Sequence, residues 1–263
     1  MADRLAAAVR VVESVGAALL TLRGEVVTGH EAARQQLKTP VDLAAEGWIA
    51  GFLQGLFPDD ILLAEEAFER TDSSWQPASA FWTIDALDGS RSFVEGFAGF
   101  CAQVAYVDCG RVVVAAIHEP VAGATYWASA SQGAFVRDGT GRTRRLAVPP
   151  RRDWPDQPRF VDSTQPQGIV GALMRRVEGR FIECGSIALK ICRLATGDAD
   201  VYAKKLSFAL WDVAPGSLIL EEAGGRLGLW NGARVPFDTT QVYYENILAA
   251  PEGLFEMAVR ELR

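Results

Sequence analysis

The feature that most constrains the fold is a set of short apolar runs that end in acidic residues. They are "LLAEE", ending at Glu65 and Glu66, "AFWTIDALD", which carries Asp85 and Asp88, and "LWD", ending at Asp212. A fourth acid, Asp42, follows "TPV". The first two of these runs, "ILLAEE" and "AFWTID", are typical of strands. They therefore predict a sheet whose strands carry carboxylates to its edge.

Segments with apolar residues at helical spacing predict two helices before and around these strands. The first covers residues 3–23 and ends near Gly24, and the second covers residues 41–57 and is ended by Pro58. The apolar residues expected to face inward on the second helix are Trp48, Ile49, Phe52, Leu53 and Leu56. "FCAQVAYVDCGRVVVAAIHEP" predicts a hairpin with its turn at Asp108–Gly110, and "TYWASASQGAFVRDG" predicts another pair of short strands.

The second half of the chain follows a segment, 137–158, rich in Arg, Pro and Gly, which indicates a junction or a surface excursion. We therefore expect an N-terminal α+β subdomain over 1–145 with most of the acids, and a C-terminal α/β subdomain over 146–263. The elements expected in the latter are strands near 158–162, 180–183 and 199–203, helices near 166–177 and 186–196, a long helix in "WDVAPGSLILEEAGG", and a final strand and helix. Helices and strands mix without regular alternation, which favours layered α/β sheets over a Rossmann or TIM fold.

Composition restricts the partners and the compartment. The 263 residues carry a formal net charge of -7, which argues against a general nucleic-acid surface or an anionic membrane surface. An anionic substrate stays possible if a divalent cation reverses the local charge. Four scattered cysteines and two histidines make a zinc site unexpected. With no signal-peptide pattern and no uninterrupted apolar run of about 18 residues, we expect a cytoplasmic protein that does not span a membrane.

The stretch "WTIDALDGSRSF" joins two acids three residues apart to a Gly-Ser pair. One interpretation is that Asp85 ends a strand while Asp88 caps a short helix. The other is that both carboxylates hold Mg²⁺, which prefers oxygen ligands and commonly binds between carboxylates and a phosphate. A helix that begins near Ser90 would then offer free backbone N–H groups to that phosphate. We favour the second interpretation for the set as a whole.

The same stretch resembles the D-P-[IL]-D-G-T-x-[NS]-F signature of the inositol monophosphatase superfamily. "LLAEE" is similar to that superfamily's L-G-E-E, and "TPVD" matches its T-x-x-D. "GSIALKICRLATGDADVY", "WDVAPGSLILEEAGG" and "NILAAPEGLF" resemble its later motifs, in the expected order. The resemblance implies a layered αβαβα sandwich of the sugar-phosphatase type, with two mixed sheets and helices between and outside them.

The resemblance also implies a phosphoric monoester hydrolase that uses two or three Mg²⁺ ions and is inhibited by Li⁺. Position by position it implies metal binding by Glu65, Asp85, the carbonyl of Leu87, Asp88 and Asp212. It implies that Asp42 and the hydroxyl of Ser90 orient and deprotonate the attacking water. Backbone N–H groups of Gly89 and Ser90 would hold the phosphate, and Ser186 would contact the substrate. A homodimer is expected on the same ground.

Departures from the superfamily's pattern concern the substrate rather than the metal ligands. Ala86, Ala64 and Pro215 stand where the pattern has Pro, Gly and Ala, and none of these changes removes a ligand. Members specific for inositol have a Glu just after "ADxY", where this chain has Lys204 or Lys205 with one extra residue before "WD". Together with Lys190, these cations favour a substrate with a second anionic group, unless all three lysines are simply solvated.

Several alternatives follow from the same residues. "DGSRSFVEG" also resembles the histidinol-phosphatase form of the first signature, so an inositol phosphate, a sugar phosphate, 3'-phosphoadenosine 5'-phosphate and histidinol phosphate are all candidate substrates. A non-catalytic regulatory or partner-binding protein on the same fold is the alternative from another class. His118, Trp82 and Trp211 are predicted to have structural roles, as a strand end and as packing residues beside the acids.

Overall fold

The computed structural model describes the backbone of residues 1–27, 31–71, 75–76 and 78–262, and their side chains apart from those of 25–27, 31–39 and 71. His30 therefore lies outside the described residues, as does the side chain of Thr39 in "TPVD". The helices are α1 (Ala2–Val27), α2 (Glu31–Leu56), α3 (Glu65–Thr71), α4 (Ser90–Glu95), α5 (Gly168–Arg176), α6 (Ile187–Ala195), α7 (Leu210–Ala223) and α8 (Glu252–Leu262).

Twelve strands are assigned within the described residues. They are β1 (Ile61–Ala64), β2 (Ala80–Asp88), β3 (Cys101–Asp108), β4 (Arg111–Glu119), β5 (Ala124–Ser129), β6 (Gly133–Arg137), β7 (Thr143–Leu146), β8 (Arg159–Asp162), β9 (Arg180–Glu183), β10 (Tyr202–Ala209), β11 (Gly225–Leu229) and β12 (Tyr243–Pro251).

The strands form two mixed sheets. The first has the order β1 to β7; β1 and β2 are parallel, with Leu63 opposite Thr83, and the later neighbours are antiparallel. In the second, β9 and β8 are parallel, and an isolated parallel bridge from Phe160 to Val201 connects them to the antiparallel strands β10, β12 and β11. Successive side chains of a strand point to opposite faces, so each sheet can pack a layer of helices on both sides.

Three clusters of buried residues show this layering. Trp82 of β2 packs with α1 and α2, whereas its neighbour Phe81 packs with α6 and α7 between the sheets. In the second sheet, Val161 joins that middle cluster and Phe160 joins an outer cluster with α5 and α8. The predicted αβαβα sandwich with two mixed sheets is thus confirmed. The division at residue 145 stays a prediction, and the middle cluster draws residues from both sides of it.

The first two helices differ from their predicted bounds. α1 continues past Gly24 to Val27, and α2 begins at Glu31 and contains Pro40 instead of beginning at residue 41. Trp48 and Leu56 are 50% and 54% exposed, so their predicted inward orientation is wrong. The buried stripe of α2 is narrower than its apolar pattern: it repeats every four residues, as Val41, Ala45, Ile49 and Leu53.

α1 bears on the expectation that no segment of the chain spans a membrane. Its residues Ala2–Gly24 are long and apolar enough to cross a bilayer by length and composition, with a mean hydropathy of 1.7. In the structure one face of this helix packs on the first sheet through the buried residues Ala8, Val11, Val12, Val15 and Leu19. A helix that covers a sheet has the same composition as a membrane span, so composition does not separate the two.

Other differences concern strands that the sequence pattern concealed. The segment 137–158 contains β7, whose exposed arginines add an edge strand to the first sheet. The strand expected near 199–203 is β10, displaced to Tyr202–Ala209, and neither β11 nor the short helix α3 was expected. The β3–β4 hairpin and the β5–β6 pair are confirmed, with Cys109 and Gly110 at positive φ in the first turn.

Candidate active site

Four acids from three elements lie so close together that the charges of some raise the pKa of others. Glu65 is the first residue of α3, Asp85 and Asp88 lie in β2, and Asp212 is in the first turn of α7. Burial raises the pKa of Glu65 to about 8, with further contributions from the charges of Asp212 and Asp88. Burial and then Asp88 raise the pKa of Asp212 to about 7. The predicted acid cluster is therefore present as an electrostatic unit.

Asp85 is the most enclosed of the four acids, at 2% exposure. Burial, then the charges of Glu65, Asp88 and Asp212, raise its pKa well above the ordinary range. Its carboxylate accepts hydrogen bonds from the backbone N–H of Leu87 (3.0 Å) and from Nε2 of the buried Gln103 (3.1 Å). Gln103 was not predicted, although a lone amide in the apolar strand "FCAQVAYV" is a usable signal.

Asp88 is hydrogen-bonded to the N-terminus of α6 and does not cap α4, the helix that follows it in the chain. Its carboxylate accepts from the hydroxyl of Ser186 (2.5 Å) and from the backbone N–H groups of Ile187 (3.3 Å) and Ala188 (2.9 Å). α4 begins after Gly89 with no side-chain cap, so the interpretation of Asp88 as a helix cap is wrong. Ser186 thereby orients Asp88, in addition to capping α6 through the N–H of Leu189. A carboxylate oxygen has two lone pairs, so these bonds leave acceptor capacity for a further ligand.

The Gly89 position requires glycine for two independent reasons. Its φ is +87°, a left-handed conformation that favours glycine, and a Cβ would lie 2.3 Å from the carbonyl oxygen of Gly99. The chain can therefore turn directly from β2 into Ser90, the first residue of α4. This turn places the Gly89–Ser90 backbone beside Asp88.

α2 supports the Glu65 side of the cluster. Asp42 lies on α2 at 5% exposure, and Glu46, one turn later, is 6% exposed. The Glu46 carboxylate accepts the backbone N–H groups of Glu66 (2.8 Å) and Ala67 (2.9 Å), in the first turn of α3. Glu46 thus fixes the helix that begins with Glu65. Sequence reasoning missed it, and its spacing of four residues from Asp42 is the signal that could have found it.

A cavity of about 720 Å³ opens beside Asp88. Among the predicted residues its wall includes Asp88, Gly89, Ser186 and Lys190. Its remaining wall comes from α4 and the segment after it, the ends of β4 and β9, the Ser163–Thr164 loop and α6. The site therefore combines a group of acids with a space large enough for a small molecule.

The donor set fits a hard divalent cation. All four acids offer oxygen atoms, which Mg²⁺ prefers as ligands. Burial and the charges of neighbouring acids raise the pKa of Glu65, Asp85 and Asp212, as expected where carboxylates crowd a poorly solvated place. No group of three or more His, Cys, Asp or Glu side chains in the described part of the chain stands in a ready-made ligand arrangement. Asp88 and Asp212 each direct an oxygen to backbone N–H groups, the latter to that of Ala209 at 2.7 Å.

Comparison with known proteins identifies the family of the chain. The model of the inositol monophosphatase family matches residues 1–263, which is the whole chain. The chain belongs to the inositol monophosphatase family. It is accordingly a phosphoric monoester hydrolase, a phosphatase of small phosphorylated substrates, and this family is generally metal-dependent.

Individual relatives carry different names. A "Nus factor SuhB" of Xylella fastidiosa is 30% identical over 238 residues, covering 87% of this chain and 82% of the relative. A "Fructose-1,6-bisphosphatase/inositol-1-monophosphatase" of Thermotoga maritima is 28% identical over 236 residues, covering 88% and 86%. The structure of the inositol monophosphatase of Anabaena is similar in fold, with a TM-score of 0.76, 22% identity and coverage of 99% and 95%.

The lysines of this inositol monophosphatase family member are not all solvated. Lys190 is 4% exposed, which excludes the solvated alternative for it, whereas Lys205 is exposed. Lys204 and Lys205 line a second cavity of about 280 Å³, separate from the one beside Asp88. The register of β10 against β12 shifts between Lys204 and Ser207, so a bulge absorbs the extra residue noted before "WD".

The two tryptophans beside the acids are packing residues, as predicted. Trp82 is fully buried, and its Nε1 donates to Asp60 at 2.8 Å. Trp211 is 2% exposed and meets Tyr243 edge-on at 5.9 Å between ring centroids. His118 lies near the end of β4, and its Nδ1 is 3.0 Å from the hydroxyl of Thr125. The hydrogen bonds and ring contact described for these three side chains involve residues other than Glu65, Asp85, Asp88 and Asp212.

Proposed function

We propose that the chain hydrolyses the phosphate monoester of a small molecule that carries a second anionic group. The observation that carries this proposal is the position of Lys190: a buried cation lines the same cavity as Asp88. A phosphate bound at the acids accounts for one anionic group of the substrate, and the ammonium group of Lys190 can bind a second one that enters the same cavity.

Glu65, Asp85, the carbonyl of Leu87, Asp88 and Asp212 would hold two or three Mg²⁺ ions. When bound, Mg²⁺ neutralises phosphate charge and makes a water molecule more acidic. Gln103, Glu46 and the N-terminus of α6 keep the carboxylates of this set in place. Phosphoryl transfer depends mainly on positioning and charge neutralisation, so this support matters to the rate.

The remaining catalytic roles fall to residues of α2 and α4. Asp42 and the hydroxyl of Ser90 orient the attacking water and take its proton, and Glu65 assists them from α3. The backbone N–H groups of Gly89 and Ser90 hold the phosphate, since the tight Gly89 turn brings the backbone next to Asp88. Ser186 acts on the substrate indirectly, through the carboxylate that it orients.

Lys190, Lys204 and Lys205 are the candidates for the second anionic group. The name of the Thermotoga maritima relative, which includes fructose 1,6-bisphosphatase, supports a bisphosphorylated substrate. Inositol phosphates, 3'-phosphoadenosine 5'-phosphate and histidinol phosphate remain alternatives. A homodimer and a cytoplasmic location stay predictions, and Li⁺ is expected to inhibit the reaction.

The test is phosphate release from a panel of four compounds with and without Mg²⁺. We expect fructose 1,6-bisphosphate or 3'-phosphoadenosine 5'-phosphate to exceed inositol 1-phosphate and histidinol phosphate. Asp88→Asn should lower Mg²⁺-dependent release by at least about a hundred-fold, because it removes a charge from the reacting centre. Asp153→Asn, a change of the same type at an exposed position, should have no effect.

A different ranking of the four compounds would contradict the substrate part of the proposal. If the wild type releases phosphate from none of them, the phosphatase proposal fails as stated. The name of the Xylella fastidiosa relative, a Nus factor, then favours the second candidate, a regulatory or partner-binding protein on the same fold.

A further inference from the structure

Asp162, the last residue of β8, holds two lysines with one carboxylate oxygen. It is 3% exposed. Its Oδ1 accepts from Nζ of Lys204 at 2.7 Å and lies 3.8 Å from Nζ of Lys190. The backbone N–H of Ser163 also donates to it at 2.7 Å. Asp162 was not predicted, although it too ends a short apolar strand.

The burial of this cluster makes its charge balance important. Lys190 is 4% exposed, and its ammonium group lies 5.3 Å from the ring centre of Tyr202. Burying an ammonium group is costly unless an anion compensates for it. One oxygen of Asp162 faces two ammonium groups here, and the charge of Asp88 also acts on Lys190. An anionic group that approaches the two ammonium groups is attracted to them, and more strongly than in water because the surroundings are poorly solvated.

The cluster stands between the two cavities. Lys190 lines the larger cavity together with Asp88, and Asp162 and Lys204 line the smaller one. Thr164 borders both. The two ammonium groups, tied to a single oxygen atom, therefore mark the boundary between the space beside the acids and the space beyond it.

We propose that Asp162 determines substrate choice by holding Lys190 and Lys204 together, so that the pair binds the second phosphate of a bisphosphorylated substrate. The inference rests on the proposed function and extends it. Asp162 is a positioning residue: it does not touch the substrate, and it fixes two side chains that do. Lysine is flexible, so a carboxylate that orders it beforehand lowers the entropy lost on binding.

The test compares pairs of substrates. Both compounds of a pair carry the same reacting phosphate, and only one of them carries a second phosphate. The pairs are fructose 1,6-bisphosphate with fructose 1-phosphate, and 3'-phosphoadenosine 5'-phosphate with adenosine 3'-phosphate. In Asp162→Asn, we expect KM for the bisphosphates to rise by about ten-fold or more, since one oriented charge-assisted contact is worth about that much. KM for the monophosphates and kcat for both should change less than about two-fold.

Asp200→Asn is the matched control. Asp200 is also a buried acid, 4% exposed, and it holds Arg159 at 2.9 Å, but it lines neither cavity. Asp200→Asn should lower the midpoint of thermal unfolding without changing the ratio of the KM values for the two compounds of a pair. If Asp162→Asn does not fold, Lys204→Met tests the same proposal at a side chain that is 30% exposed. It should also raise KM for the bisphosphates alone.

The outcomes separate the two proposals. If the wild type acts on both members of a pair and either variant raises both KM values equally, the role of Asp162 is refuted while the phosphatase proposal stands. A wild type with no preference for the bisphosphates refutes it too. If no compound releases phosphate, the phosphatase proposal fails, and this inference fails with it.

Discussion

Glu65 is a residue whose contribution to activity and whose contribution to stability should have opposite signs. Its pKa in the folded chain is about 8, against an ordinary value of 4.5, because it is buried beside other acids. Between those pH values the folded protein keeps a proton that the unfolded chain has released. Stability therefore falls as the pH rises through this range. Asp212, with a pKa of about 7, acts in the same direction.

Glu65→Gln should accordingly stabilise the protein at pH 8 when a chelator removes divalent cations. The variant lacks the ionisable group, so the difference in Tm from the wild type should be small near pH 4.5 and grow towards pH 8. A gain on the order of 1 kcal/mol corresponds to about 2–4 °C in a domain of this size. Differential scanning fluorimetry across this pH range measures it.

The exposed Glu245 supplies the control: Glu245→Gln should leave the pH profile unchanged. Mg²⁺ should raise the Tm of the wild type at pH 8 more than that of Glu65→Gln, since a ligand of the folded state stabilises by mass action. A variant that gains nothing at pH 8, or a wild type insensitive to Mg²⁺, would show that Glu65 is not part of a crowded cation site.

The acids themselves were predictable from sequence, whereas the residues that hold them were not. Asp85, Asp88 and Asp212 belong to contiguous motifs with glycines and apolar runs around them. Gln103 and Glu46 act across strands and helices, on partners 18 and 20 residues away in the chain. A local pattern can mark such a residue as unusual, but its partner depends on register and packing, which the local sequence does not specify.

At the scale of elements, the contact between α6 and α7 fixes the position of Asp212 relative to Asp88. Gly216 of α7 lies against Ile191 of α6, and a Cβ at Gly216 would stand 2.8 Å from Cδ1 and 3.1 Å from Cβ of that side chain. Both helices are in the layer between the sheets, where neighbouring side chains have little room to move.

Gly216→Ala should therefore destabilise the protein although alanine favours helices. Overpacking in a core costs about 1–3 kcal/mol, which exceeds the gain of about 1 kcal/mol in helix propensity. Urea unfolding followed by circular dichroism measures the change in free energy. Gly51→Ala in α2, where nothing lies within 4 Å of the added Cβ, should stabilise instead. If both variants are stabilised, the close α6–α7 contact is not present in solution.

Helices and strands with a clear apolar pattern were predicted with the right type of secondary structure. Errors arose where tertiary packing overrides the local sequence signal. The hairpin β3–β4 follows from two apolar runs joined by a turn, and α7 follows from its motif. The second helix was expected to begin at residue 41, yet α2 begins at Glu31 and contains Pro40. β7 was concealed because its arginines are exposed on an edge strand, where polar residues are tolerated.

At the scale of the whole molecule, the middle layer connects the two predicted subdomains. The first sheet contributes residues such as Ile117, and the second contributes residues such as Ala249, to one cluster around α6 and α7. Neither sheet can bury its inner face without these helices. Residue 145 therefore divides the chain in sequence, whereas the buried core is continuous across it.

We therefore expect residues before and after 145 to unfold together. In native-state hydrogen exchange, the most protected amides of β4 and β12 should exchange with the same free energy of opening. Leu220→Ala, in the fully buried part of α7, should lower both values equally, by about 2–5 kcal/mol for a cavity of that kind. Loss of protection in β12 while β4 stays protected would instead show that the two subdomains unfold separately. The candidate active site, whose acids come from both subdomains, would then open without global unfolding.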